Sequence, residues 1–191
     1  MEILRFHSED PLFFTADTHF GHKNIIDYCK RPFRDVEEMN ETLIDNWNSI
    51  VGKNDIVLHL GDFGMGDAVE WNRILERLNG RIYLVAGNHD LRALSSGVIT
   101  RFEGISMQML IQIGKRRIYL NHYPFLCFSG SEKENWQLFG HVHSNSLQPT
   151  AGNSRLNYLM TTQYDVGVDN NHYVPVSYSR IREIILGRME A

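Results

Sequence analysis

The chain of 191 residues is 42% hydrophobic and 22% charged, which are ordinary proportions for a folded globular domain. Its net charge of -4 excludes a general basic field, so the sequence carries no strong nucleic-acid signature. Two cysteines do not make a disulfide framework, and neither a signal-peptide pattern nor an apolar run of about 20 residues is present. We therefore expect one domain, residues 1–191, acting in the cytoplasm without a membrane.

The first half of the chain alternates between apolar strands and helical patterns. Residues 12–17 are predicted to form a buried strand and residues 22–29 a short helix. Asp35, with Glu38 three residues later, is typical of a helix start, and apolar residues then recur at helical spacing up to Val51. The next predicted elements are a strand at 55–62, an amphipathic helix at 68–80 that Gly80 ends, and a strand at 81–88. This βαβαβ order predicts parallel strands with crossover helices.

After residue 100 the predicted strands follow one another without helices. Residues 106–114 and 116–122 are predicted to form a hairpin whose basic turn, Lys115–Arg117, is solvated. Two more strands are predicted at 137–143 and 163–169, and a final helix covers 177–189 with Ser177 or Ser179 as its cap. This order predicts a second, more antiparallel sheet. We expect an α/β fold with two sheets and helices outside them.

Side chains that can bind a metal follow five of the predicted strands. Asp17 and His19 lie two residues apart, as do His141 and His143, so each pair points the same way if the segment is extended. In open α/β sheets ligands bind at the edge that the carboxyl ends of the strands form. The remaining strand ends carry Asp62, then Asn88, His89 and Asp90, and then His122. Carboxylate, amide and imidazole ligands suit Mn, Fe, Zn or Ni, and the absence of cysteine from the set disfavours a structural thiolate zinc site.

A simpler interpretation exists for each of these residues. Asn and Asp favour turns because their side chains bond the local backbone, and residues 87–90 read alone as a turn. A lone histidine is more often a packed polar residue than a metal ligand. The metal interpretation is favoured because five strand ends place such residues at the same edge of the sheet.

The ordered motifs resemble those of a known family. They are DTH (17–19), GD (61–62), GNHD (87–90), a histidine at 122 and GHVH (140–143). This set resembles the calcineurin-like metallophosphoesterases, and specifically their small bacterial or phage-type members. The resemblance implies that residues 1–191 form one domain, a four-layer α/β/β/α sandwich with two facing mixed sheets.

The resemblance also implies two divalent metal ions, which Asp62 bridges. The first ion would be bound by Asp17, His19, Asp62 and His143. The second would be bound by Asp62, Asn88, His122 and His141. The implied reaction is hydrolysis of a small phosphate mono- or diester by direct attack of a metal-bridging hydroxide, with His89 as the catalytic histidine. Asp90 either orients His89 or caps a turn.

Other roles stay open at this point. His22 either reaches the substrate or belongs to a helix-capping turn, and Arg31, Arg34 and Arg92 either grip a phosphate or are solvated. Two other functions compete with phosphoester hydrolysis in general, namely a weakly active protein-interaction scaffold and a nuclease of the same fold. The chain leaves little room for a capping domain, which favours an open site and a phosphodiester substrate. The sequence determines neither the metal, nor the natural substrate, nor the oligomeric state.

Overall fold

A computed structural model describes residues 3–132, 134–144 and 154–190. Ten strands form two five-stranded sheets. The strands are β1 (Leu4–Phe6), β2 (Leu12–Thr15), β3 (Ile56–His59), β4 (Arg81–Val85), β5 (Phe102–Ser106), β6 (Gln108–Ile113), β7 (Arg116–Asn121), β8 (Trp136–Phe139), β9 (Gln163–Asp165) and β10 (Val176–Ser177). The helices are α1 (Lys23–Cys29), α2 (Val36–Ile50), α3 (Ala68–Leu75), α4 (Leu91–Ser96) and α5 (Tyr178–Glu190), with 3-10 helices at Ser154–Tyr158 and Val168–Asn170.

The first sheet has the spatial order β10-β2-β3-β4-β5, and the strands from β2 to β5 are all parallel. The predicted βαβαβ unit is therefore confirmed, with α1 and α2 joining β2 to β3 and α3 joining β3 to β4. Helix α2 begins as predicted, because the Asp35 side chain accepts a hydrogen bond from the backbone N–H of Glu38. Its buried side chains, including Trp47, pack in the cluster that covers this sheet.

The second sheet has the order β1-β6-β7-β8-β9, and the prediction that it is more antiparallel was wrong. Only the β6–β7 hairpin is antiparallel, while the three other pairs are parallel. The connections from β7 to β8 and from β8 to β9 are long, as parallel pairing requires. The predicted strand at 106–114 also divides, because Ser106 pairs in the first sheet and Gln108 in the second.

Two local predictions need correction. Helix α3 ends at Leu75 rather than at Gly80, since turns follow in which the N–H groups of Arg77 and Leu78 bond carbonyls three residues back. Gly80 instead has φ +94° just before β4. The basic turn is only partly solvated, because the Arg116 guanidinium lies 3.9 Å from the centroid of the Trp136 ring.

A continuous apolar core lies between the two sheets. Leu58 and Leu60 contribute to it from the first sheet side, and Ile118 and Leu138 from the second. Helix α5 completes this core with buried isoleucines, and Ser177 caps the helix by accepting the N–H of Arg180. The predicted α/β architecture of two facing mixed sheets with helices is confirmed. Within the described residues, no helix has the length and apolarity that a membrane crossing requires.

Candidate metal centre

The predicted ligands lie in loops that follow the strands, not on the strands themselves. Strand β2 ends at Thr15 and β8 at Phe139, so the assumption of extended pairs was wrong. Five predicted ligands have left-handed backbone conformations instead: Asp17 (φ 57°), His19 (50°), Asp62 (55°), His141 (71°) and His143 (46°). Such conformations are uncommon outside glycine, cost on the order of 1 kcal/mol each, and cluster at functional sites. The backbone is bent here to make side chains from separate loops converge.

Asp17, His19 and His143 form a first ligand group. One possible ligand atom from each lies within 4.8 Å of the others. The Nε2 atom of His19 is buried and has no hydrogen-bond partner among the described residues. Burial lowers the pKa of His19 to about 2, which keeps its imidazole neutral, and burial raises the pKa of Asp17 to about 7. A buried imidazole nitrogen without a hydrogen-bond partner, on a neutral ring beside a buried carboxyl group, fits a cation site.

Asp62, His122 and His141 form a second group within the same distance limit. The Nδ1 atom of His122 lies 2.9 Å from the carbonyl oxygen of Leu60, which only accepts, so Nδ1 carries a proton. The opposite atom, Nε2, lies 3.0 Å from Asn88 Oδ1 and 3.4 Å from Asp62 Oδ2. Both oxygens can accept a hydrogen bond but cannot donate one, so two acceptors face this nitrogen.

A positively charged group fits where these three atoms meet. Burial alone lowers the pKa of His122, but the hydrogen bond with Asp62 and the charge of Asp17 raise it. Either a proton on Nε2 or a metal ion supplies the charge, and metal ligands must give up such protons. Asn88, the seventh predicted ligand, thus joins the second group through its oxygen. Tyr123 donates its hydroxyl to the same oxygen at 3.2 Å.

Asp62 connects the two groups. Its Oδ2 atom lies 3.5 Å from His19 Nε2 and 3.4 Å from His122 Nε2, so one carboxylate oxygen faces a ligand from each group. Its Oδ1 atom accepts the backbone N–H of His89 at 2.9 Å. This arrangement fits the bridging role that the sequence implied for Asp62.

Asp90 organises the loops of the site rather than the side chain of His89. Its carboxylate is fully buried and accepts three backbone N–H groups, from Asp62, Phe63 and Gly87, at 2.8–2.9 Å. Its bond to the N–H of Gly87, three residues earlier, agrees with the turn cap that the sequence offered, and no hydrogen bond among the described residues joins its carboxylate to the His89 ring. By holding the backbone on both sides of the site, Asp90 fixes where Asp62 points.

Gly87 leaves the space that Asp62 occupies. A Cβ atom on Gly87 would lie 2.3 Å from Asp62 Oδ1 and 2.5 Å from Asp62 N. No side chain fits at this distance without moving the carboxylate.

We therefore expect Gly87→Ala to weaken metal binding by both ligand groups and to reduce the free energy of unfolding by about 1–3 kcal/mol through overpacking. Titration calorimetry with Mn²⁺ and urea unfolding measure the two effects. Gly187→Ala is the matched control, because a Cβ there meets no described atom within 4 Å. Wild-type metal affinity in Gly87→Ala would contradict the expected displacement of Asp62.

Arg31 is neither a phosphate-gripping nor a solvated residue. It is 4% exposed and donates two hydrogen bonds to Asp169, Nε to Oδ1 at 2.9 Å and Nη2 to Oδ2 at 2.8 Å. The guanidinium also donates to the carbonyl oxygens of Asp17 and Thr18. Arg31 thus holds the backbone of the loop that carries Asp17 and His19.

Asp169, which sequence reasoning missed, joins Arg31 to the first ligand group. It accepts a hydrogen bond from His143 Nδ1 at 2.7 Å, which leaves Nε2 available to a metal. Burial alone lowers the pKa of His143, but the bond to Asp169 raises it to about 11. A carboxylate in this position orients a histidine ligand and increases its basicity. In the sequence, Asp169 stood only at the end of the strand predicted at 163–169.

Cys29 lies beside this network although no cysteine was expected near the site. Its Sγ atom, one ring nitrogen of His143 and one oxygen of Asp169 lie within 4.8 Å of one another.

Of the four remaining candidate residues, two lie at the site and two are exposed elsewhere. His22 and His89 belong to the site, since their ring centroids each lie 5.1 Å from that of His19 and 5.6 Å from each other. His22 is also the N-cap residue of α1, although its side chain makes no cap hydrogen bond, so the helix-capping turn is present and His22 lies at the site as well. Arg34 is exposed and pairs with Glu38, and Arg92 is exposed on α4.

The fold and the two ligand groups together define an α/β protein with a candidate divalent-metal centre built from strand-end loops. Residues 11–172 match the model of the calcineurin-like phosphoesterase family, and the chain therefore belongs to that family.

Similar proteins are known from an archaeon, a phage and a bacterium. An uncharacterized protein of Methanocaldococcus jannaschii is 38% identical over 178 residues, covering 91% of this chain and 90% of the relative. The Gene 66 protein of Mycobacterium phage L5 is 32% identical over 187 residues, covering 82% and 85%. The crystal structure of AQ665 from Aquifex aeolicus, a protein of unknown function, is 27% identical with a TM-score of 0.67, covering 91% of this chain and 98% of that one.

Proposed function

We propose that the protein is a dinuclear metal-dependent phosphoesterase that hydrolyses phosphate mono- or diesters. The observation that carries this proposal is the position of Asp62 Oδ2, which lies 3.5 Å and 3.4 Å from a histidine of each ligand group. Membership of the calcineurin-like phosphoesterase family supports the same reaction class. When bound, two divalent ions supply Lewis acidity and a water of lowered pKa.

The chain's own residues give the site its charge. Asp17, His19 and His143 would hold one ion and Asn88, His122 and His141 the other, with Asp62 shared. Only two of these seven ligands are carboxylates. The neutral imidazoles and the amide leave the loaded site positively charged, which favours binding of an anionic phosphate ester. The ligand set suits Mn, Fe, Zn and Ni, among which we propose Mn.

The surroundings of His89 support a role on the substrate rather than as a metal ligand. It is half-buried, its backbone N–H is held by Asp62, and its ring contacts the ring of His19 edge-on. We propose that this imidazole donates a proton or a hydrogen bond to the leaving oxygen of the ester.

His89→Ala is expected to bind metal normally but to lose about 10²–10⁴-fold in kcat, the usual contribution of an acid catalyst. The loss should be largest for an alkyl ester, whose leaving oxygen needs a proton, and smallest for a p-nitrophenyl ester. Steady-state rates on both ester types, with metal content measured by mass spectrometry, check this. His7→Ala is the matched control, since the exposed His7 follows β1, which runs antiparallel to β7 and so ends at the opposite edge of the sheet from His122. Equal losses on both ester types would exclude proton donation.

One screen tests the proposed function. Purified protein with Mn²⁺ is assayed on p-nitrophenyl phosphate, bis-p-nitrophenyl phosphate, cyclic nucleotides and single-stranded DNA, with and without chelator. We expect turnover of a small ester that chelator abolishes. Turnover of DNA alone would indicate a nuclease, and no turnover with any metal would indicate an interaction scaffold.

We further propose a cytoplasmic location, because Cys29 and the exposed Cys127 are both free.

A further inference from the structure

An apolar groove of about 530 Å³ adjoins the second ligand group. Tyr123 and His141 form its inner end, and their ring centroids lie 4.5 Å apart. Leu126 and Tyr158, the last residue of the 3-10 helix Ser154–Tyr158, also line it. Leu126 and Tyr158 are 85% and 78% exposed, so large apolar side chains face solvent within reach of the metal centre.

Two buried glutamines fix the wall of this groove. Gln137 donates to the carbonyl oxygen of Tyr123 and accepts the N–H of Phe125, and Gln163 donates to the carbonyl oxygen of Phe125. Gln137 and Gln163 are 0% and 2% exposed. Buried amides of this kind require their partners, so the loop is held in this conformation and keeps Leu126 outside the core. A wall fixed in advance binds a ligand with less ordering cost.

The types of residues that line the groove favour one class of ligand. No Asp, Glu, Lys or Arg is among the described residues that line it, which disfavours a second phosphate group. Three of these residues, Tyr123, Phe125 and Tyr158, offer aromatic rings, and such rings stack well on planar ligands. The volume holds a nucleobase-sized ring with room for its sugar.

We propose that this groove is the subsite for a planar aromatic group of the phosphoester substrate, such as the base of a nucleotide. The inference rests on the proposed function, because His141 is the point where the groove meets the candidate metal centre. The substrate class is then a small nucleotide-like ester, whose phosphate lies at Asp62 and whose ring lies between Tyr123 and Tyr158.

Binding of product-like ligands tests the subsite without depending on turnover. Calorimetry on the full Mn²⁺-loaded chain compares thymidine 5′-monophosphate, ribose 5-phosphate and octyl phosphate, with released phosphate assayed so that only intact ligand counts. Base stacking predicts that the wild type binds thymidine 5′-monophosphate about tenfold more tightly than ribose 5-phosphate. Tyr158→Ala and Leu126→Ala should reduce that ratio to below about threefold while ribose 5-phosphate affinity stays unchanged. Val98→Ala is the control, because Val98 is 77% exposed and does not line the groove.

Each outcome bears on the subsite separately from the hydrolase. A wild-type ratio near one, or a ratio that survives both groove variants, would overturn the subsite. Tighter binding of octyl phosphate than of thymidine 5′-monophosphate would also overturn it, since the groove would then hold an aliphatic chain. If the base preference appears but no ester is turned over, the hydrolase proposal fails and the subsite stands. If esters are turned over without a base preference, the reverse holds.

Discussion

Asp62→Asn is expected to lose both metal ions and at least about a thousandfold in kcat/KM, which corresponds to ~4 kcal/mol of transition-state stabilisation. Asp62 Oδ2 faces His19 and His122 at 3.5 Å and 3.4 Å, so a single substitution removes a ligand from both groups. The new amide nitrogen donates toward the imidazole lone pairs at the point where a cation would bind. Metal content by mass spectrometry and rates on bis-p-nitrophenyl phosphate measure the two losses.

The fold should survive this substitution. Asparagine keeps Oδ1, which accepts the N–H of His89, and it removes only a buried charge. Asp67→Asn is the matched control for charge, because Asp67 caps α3 and asparagine caps a helix equally well. Retention of one full equivalent of metal in Asp62→Asn would show that the carboxylate is not shared between the two groups.

Arg31→Met is expected to reduce the free energy of unfolding by about 3–5 kcal/mol, because it removes both arginine hydrogen bonds from the buried Asp169 carboxylate and leaves only the bond from His143. For a chain of this size the melting temperature falls by roughly 6–20 °C. The same substitution frees the carbonyl oxygens of Asp17 and Thr18, so the first ligand group should also lose about 10–100-fold in metal affinity. Thermal unfolding of the metal-free chain and calorimetric metal titration separate the two effects.

Two comparisons test the origin of this loss. The double variant Arg31→Met with Asp169→Asn should lose less stability than the sum of the single variants. In the double variant no buried carboxylate remains at position 169 without its arginine. Arg77→Met removes an exposed bidentate pair with Glu41 and should cost less than about 1 kcal/mol. A loss in Arg31→Met no larger than that in Arg77→Met would contradict a buried, structural role for Arg31.

The residue types of the site were predictable because their chemistry is local. Aspartate, asparagine and histidine placed after apolar strands are incompatible with the core and compatible with a metal. The parallel arrangement of β2, β3 and β4 followed from the helices between them, and it brings Asp17, Asp62 and Asn88 to one edge. The prediction that Asp17 and His19 point the same way from an extended segment was wrong. Both residues have left-handed backbone conformations in a loop, and these conformations direct their side chains to the site.

The two shortest strands could not be predicted from the pattern of apolar residues in the sequence. Strands β1 and β10 have three and two residues, too few for an alternation of apolar and polar side chains to appear. The change of sheet at Met107 was hidden because β5 and β6 run on almost without interruption. The parallel pairing of β8 with its neighbours depends on how long connections pass over the sheet, which spacing alone does not encode.

By itself, the sequence determined which side chains have the chemistry of a metal centre and the order of the strands that carry them. Only the tertiary structure decided what supports them. Arg31 pairs with Asp169 across 138 positions of sequence, and Asp90 bonds backbone groups 27 and 28 residues away. Nothing local distinguishes a buried arginine from a solvated one, because its burial depends on a partner that the fold brings from a distant segment.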